Sequence, residues 1–131
     1  MMDTKDWAAY DERAEILRKM EDGWYWDNDG KAMNPQAMTD LRNMIVKLET
    51  ASPKMPTMFP FPGLEGEILG SWRDENSTGS IIVYPDLTVE AYIIHLASNR
   101  YCSVEEKDMD ETVAVLAGWF NDMDSIAWDK E

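Results

Sequence analysis

One cysteine and one histidine are all that 131 residues offer, and that scarcity removes whole classes of chemistry. Cys102 has no second thiol to pair with, so the disulfide framework of a small secreted domain is excluded. His95 and Cys102 cannot hold zinc unless carboxylates complete the set. Cations are also scarce: 12 Lys and Arg stand against 26 Asp and Glu, a formal charge of −14. Binding a bare phosphate backbone, or an anionic membrane surface, takes clustered cations, so neither nucleic acid nor membrane is an expected partner. No apolar run approaches the ~20 residues that span a bilayer. The start, Met1 to Asp6, lacks the basic-then-apolar pattern of a secretory leader. A cytoplasmic location is the expectation. Gly63, Gly66 and Gly70 make no phosphate loop, since no Lys-Ser/Thr follows and Glu65 and Glu67 would repel the phosphate.

What is present argues for a packed core. Hydrophobic residues make up 44% of the chain, with six Trp, five Tyr and three Phe, so high charge here does not mean disorder. Ten Met add side chains that fill irregular gaps and suit adaptable binding surfaces. The length fits a single domain over residues 1–131, with a tail at about 125–131 expected to fray, although Ile126 and Trp128 could dock.

The periodicity predicts helix, helix, strands, helix. A first helix, capped by Asp3 or Thr4, runs to about Met20 with Tyr10, Ala14 and Leu17 on one face joined by Trp7 and Arg13, Ile16 and Met20 beside it and Gly23 as its stop. The loop from Gly23 to Gly30 begins with Trp24-Tyr25-Trp26, aromatics expected to pin it by inserting into the core. Asn34-Pro35 opens a second helix whose Met38, Leu41, Ile45 and Leu48 share a buried face. Pro53, Pro56, Pro60 and Pro62 forbid a helix or a central strand, and predict an extended connector covering the core with Met and Phe. The period then changes to two: strands over Ile68–Trp72, Ser80–Tyr84 and Val89–Leu96 are separated by turns at 74–79 and 85–88, with a short edge strand at Arg100–Val104. Asp108 and Glu111 form a capping box for a last helix with Met109, Val113, Leu116 and Phe120 inward. The expected fold class is α+β: two N-terminal helices, an antiparallel three- to four-stranded β-meander and a C-terminal helix, all helices on one sheet face.

Three pieces together carry a resemblance: Gly23, Trp24, Asp27 and Gly30 before Asn34-Pro35; Met58 to Pro62 leading into Ile68–Trp72; and the Ile81–Tyr92 hairpin turning at Pro85-Asp86. Over residues 23 to about 120 the chain resembles a family of small acidic bacterial and phage proteins of unassigned function, in which a Gly-Trp-Asp turn precedes a helix and a β-meander. Here Tyr25-Trp26 separates Trp24 from Asp27. The resemblance implies the α+β layout and a bacterial or mobile-element setting, and brings no catalytic residue.

Asp27-Asn28-Asp29-Gly30 has the look of a calcium loop, but aligning Gly30 at the sixth EF-hand position puts Tyr25 first and Gln36 twelfth, so the residues read as a turn. A Cys102–His95 nucleophile pair lacks an orienting third residue, and both read as packing side chains. The acids are more informative. Glu105, Glu106, Asp108, Asp110 and Glu111 crowd the start of the last helix, and Asp122 and Asp124 follow its end. Acids at a helix start are stabilised by its dipole. The sharper reading makes these seven, with Trp24 and Trp26 as anchors, a partner-binding surface for a basic protein. The expectation is a non-enzymatic inhibitor of a nucleic-acid-binding protein or toxin, such as a phage anti-defence or anti-CRISPR protein or an antitoxin, with no cofactor or metal. Two alternatives stand beside it: an enzyme or small-ligand binder with a pocket lined by Trp24, Trp26, Trp72 and His95, and an assembly subunit, a homodimer through a sheet edge or the Met-rich connector.

Overall fold

The computed structural model describes residues 7–53, 55–105 and 108–122. They form helices α1 (Trp7–Arg18), α2 (Pro35–Ala51) and α3 (Met109–Asn121), and strands β1 (Phe59–Pro62), β2 (Ile68–Arg73), β3 (Ser77–Val83), β4 (Val89–His95) and β5 (Arg100–Glu105). The strands make one antiparallel sheet in the order β1-β2-β3-β4-β5. This is an α+β fold of the expected layout, with five strands.

The helices form where their ends are chemically defined. The Asn34 side chain accepts from the backbone N–H of Gln36, and Pro35 occupies the first turn of α2, where a missing N–H costs nothing. In α3 the Asp108 carboxylate accepts from the Glu111 N–H at 2.7 Å, while Glu111 reaches back to the Asp108 N–H. Met38, Leu41, Ile45 and Leu48 are buried as expected, joined by Ala37 and Met44. In α3, Val113, Leu116 and Phe120 are buried with Thr112, Ala117 and Trp119, while Met109 is half-buried. α1 stops at Arg18 rather than Met20 because the Lys19 and Met20 N–H groups bond three residues back, tightening the turn. Ile16 is 59% exposed, off the stripe of Tyr10, Ala14 and Leu17.

The proline stretch is extended as expected, and its second half pairs as an edge strand; its Met55 and Met58 cover the core, but Phe59 and Phe61 do not, Phe61 being exposed. Phe59–Pro62 pairs with β2, Phe59 opposite Ser71 and Phe61 opposite Leu69. It continues a ladder in which Gly63 donates to Glu67, so by antiparallel alternation the phenylalanines face β2 and the ring nitrogens of Pro60 and Pro62 face outward. The prolines therefore sit where no donor is needed, on an edge. α1 lies against this edge, with Arg13 Nε donating to the Pro60 carbonyl at 2.7 Å and its guanidinium 4.3 Å from the Phe61 ring.

The expected turn at 74–79 is also shorter. Asp74 Oδ1 accepts from the N–H groups of Asn76 and Ser77, closing the turn within three residues, so Ser77, Thr78 and Gly79 belong to β3. Gly79 is required in the strand because the Trp72 ring lies across it. A Cβ there would collide with the Tyr92 carbonyl and come within 2.6 Å of the indole. Trp72 Nε1 donates to Ser77 Oγ and its ring meets Phe120 edge-on at 5.1 Å.

Gly79→Ala is expected to destabilise by about 2 kcal/mol or more, because one neighbour is backbone and cannot yield. Gly118 is exposed in α3, and a methyl group there would meet nothing within 4 Å. Gly118→Ala is therefore expected to gain about 0.5–1 kcal/mol. Urea midpoints of the two variants check both, and opposite signs are the expected result.

Candidate functional site

The residues singled out in the sequence do not gather in one place. Asp108 and Glu111 cap α3, and Asp110 pairs with Lys47 at 3.1 Å. Asp122 caps the other end of that helix, ~20 Å away along a 13-residue element. Glu105 is exposed at the end of β5. Glu106 and Asp124 lie outside the described residues.

Trp24 and Trp26 behave differently from each other, which corrects the expectation that both insert. The loop closes through Gly23 N–H to the Gly30 carbonyl and Tyr25 N–H to that of Asp29, turning at Asp27 and Asn28, both with positive φ. Trp24 is half-buried over Gly30, its indole N–H on the Lys31 carbonyl at 2.8 Å. Trp26, immediately before the turn, is 80% exposed.

The ligand pocket considered for Trp24, Trp26, Trp72 and His95 is not assembled. The tryptophan loop sits by the 63–66 and 84–88 turns, where Lys31 bonds Leu64 and Asn34 Nδ2 bonds the Pro85 carbonyl. Trp72 and His95 lie at the opposite sheet end, on the helix-covered face beside Ser77. His95 Nδ1 is 2.8 Å from Ser98 Oγ, and Cys102 is opposite Ile93, a diagonal neighbour of His95. Among the described residues no three His, Cys, Asp or Glu converge as a metal site.

The face of the sheet away from the helices is where unassigned chemistry concentrates. Side chains alternate along each strand, and the helix-facing set (Ile68, Trp72, Ile81, Val83, Val89, Ala91 and Ile93) is buried. The register stacks the other set into three rows: Phe61, Leu69, Ile82, Glu90 and Glu105; then Phe59, Ser71, Ser80, Tyr92 and Ser103; then Arg73, Thr78, Ile94 and Tyr101. Leu69, Ile82, Tyr92 and Ile94 are only half-buried, and Phe61 and Tyr101 are exposed. A sheet face turned to water normally alternates to polar residues, and half of this face does not. Hydroxyls run through its centre: Ser71 Oγ is 2.7 Å from Ser80 Oγ, to which the Tyr92 hydroxyl donates at 3.4 Å. A groove of about 640 Å³ opens beside them, between Phe59, Phe61, Thr57, Arg73 and Thr78.

One corner of this face is strongly acidic. Glu90 and Glu105 stand directly opposite each other on β4 and β5. The Tyr84 hydroxyl donates to Glu90 Oε1 at 2.7 Å. Its pKa is pushed up to about 12, first by that bond, then by burial and the charges of Glu90, Glu67 and Glu105. The three carboxylates come from three strand regions far apart in sequence, so no sequence motif announces them. Only a fixed β2–β3–β4–β5 register would have found them.

No family model, no curated protein and no solved structure matches this chain. No helix among the described residues is long and apolar enough to cross a membrane.

Because the folded state keeps the Tyr84 proton that the unfolded chain loses near pH 10, this group's share of stability is present below that pH. It is lost as pH rises toward 12. In Glu90→Gln the Tyr84 midpoint is expected to fall toward 10, read by ring resonances in an NMR titration with Tyr84→Phe as the assignment control. An unmoved midpoint would show that Glu90 is not the cause.

Proposed function

We propose that this chain is a non-enzymatic binding protein whose acidic surface holds a basic partner. It inhibits a nucleic-acid-binding protein by occupying the groove meant for phosphates. The supporting observation is the placement of the cations. The ion pairs among the described residues, Arg18–Glu15, Arg42–Asp11 and Lys47–Asp110, all lie on the helical layer. Arg42 also stacks 4.5 Å from the Trp7 ring and holds the Asp11 carboxyl below its ordinary range, while Arg13 is spent on Pro60 and Phe61. The sheet end at Glu67, Glu90 and Glu105 has no ion pair among the described residues, and a formal charge of −14 leaves a strong field there to steer a cationic partner.

The test is capture from the native host lysate with elution by a salt gradient, followed by binding of the purified partner. A basic partner is expected, with affinity falling by about tenfold or more as salt rises through 0.1–0.2 M. Duplex nucleic acid should compete, and Glu105→Lys with Glu106→Lys should weaken the complex about tenfold. A neutral or acidic partner, salt-independent affinity, or simultaneous binding of nucleic acid would each overturn the reading.

A further inference from the structure

We infer that the helix-free face of the sheet is the docking surface, and that its occupant is a short amphipathic helix of a basic partner, lying along β3 and β4 with its cationic end over Glu90 and Glu105. The inference rests on the acidic-module reading and adds the site and the form of the partner.

The face supplies both parts of such a contact. Ile82, Tyr92 and Ile94 form an apolar track on neighbouring central strands, half-buried on the face opposite the buried, helix-facing set. From the Glu90 row to the Ile94 row is four residues along a strand, ~13 Å. A helix spans that length in about nine residues, so apolar side chains spaced i, i+3 or i+4 and i+7 would cover the track. A helix on this side gives the sheet the second covering layer that its half-buried Leu69, Ile82 and Ile94 lack.

Charge selects among possible occupants. Glu90 and Glu105, directly opposed, repel each other, and a Lys or Arg between them removes that repulsion. A second copy of the chain would bring another −14 to the interface, and among the described strand residues on this face only Arg73 could answer it. The chain's own residues 123–131 include Ile126 and Trp128 but also Asp124, Asp129 and Glu131, the wrong sign for this corner. The fit is therefore to a separate, cationic segment.

The experiment uses the full chain, isotope-labelled, and three synthetic peptides of fourteen residues. One is an amphipathic helix with a leucine stripe and lysines at one end, one is the same composition scrambled, and one replaces its lysines by glutamate. The expected result is binding of the first peptide with amide and methyl shifts confined to Leu69, Ile82, Tyr92, Ile94 and their neighbours, and little binding of the other two. Glu90→Lys with Glu105→Lys should weaken it about tenfold. Ile94→Asp should abolish it, and the wild-type shift map decides the matter should that variant fold poorly. Shifts confined to α3 and its acidic ends would overturn this inference while leaving the acidic-module reading intact. Equal binding of the scrambled peptide would overturn the helical form of the partner. Binding of none of the cationic peptides at low salt would count against both readings. Concentration-dependent dimerisation that protects Ile82 and Ile94 in the peptide-free protein would replace the partner by a second copy. Their exposure only after removal of residues 123–131 would replace it by the chain's own tail.

Discussion

Every connection in the sheet is a short hairpin, and that constraint decides the rest of the architecture. A meander of five strands with no crossover places no helix between strands, so covering layers can come only from the chain before β1 and after β5. Those segments supply α1, α2 and α3: α2 and α3 cover one face, and α1 lies along the β1 edge beside α2. Trp72 fixes their seat. Its ring lies over Gly79, donates to Ser77 and meets Phe120 of α3 edge-on, so the central hairpin and the last helix hold one another in place. Leu41 and Ile45 of α2 approach Gly70 closely for the same reason: a glycine on the covered face lets a helix sit down on the strand. The uncovered face follows from the path of the chain.

Much of this was legible because local signals and tertiary packing agree. Asn34-Pro35 and the Asp108–Glu111 box are chemical statements about helix ends, and the structure uses both. Period-two burial in β2 and β4 set the inward residues without any knowledge of neighbours. The errors came where a residue's meaning depends on its partner. Pro60 and Pro62 rightly exclude a central strand, but that they sit in an edge strand is visible only once their nitrogens are known to point away from β2. Ser77 to Gly79 has turn composition, yet these residues pair with β2 and β4 because Asp74 closes the turn early and the Trp72 indole needs a position without a side chain. Trp24 and Trp26 are indistinguishable in sequence and differ in what the folded loop brings to them: Trp24 lies over Gly30 with its indole N–H on the Lys31 carbonyl, while Trp26, next to the left-handed Asp27 and Asn28, is left in water.

The candidate site was less legible for the same physical reason. The acids at 108–111 stand out in sequence because they are adjacent, but adjacency at a helix start has a local explanation: Asp108 and Glu111 satisfy orphan N–H groups, and Asp110 has Lys47. Glu67, Glu90 and Glu105 are scattered along the chain and become neighbours only through the register, converging on the Tyr84 hydroxyl. Only Glu105 belongs to both sets.

Opposed carboxylates on adjacent strands are destabilising, and isoleucine and leucine left only half-buried on a water-facing sheet forgo burial worth about 25 cal/mol per Å². Neither feature helps the isolated fold. The hydroxyl chain of Ser71, Ser80 and Tyr92 satisfies the polar centre of the same face without closing it off. A sheet selected only for stability would place Lys opposite Glu90 and Thr at 82 and 94. The coincidence of an apolar track with a negative corner that forms no ion pair among the described residues, on the one face that the hairpin topology leaves open, is what a surface completed by a cationic amphipathic partner requires.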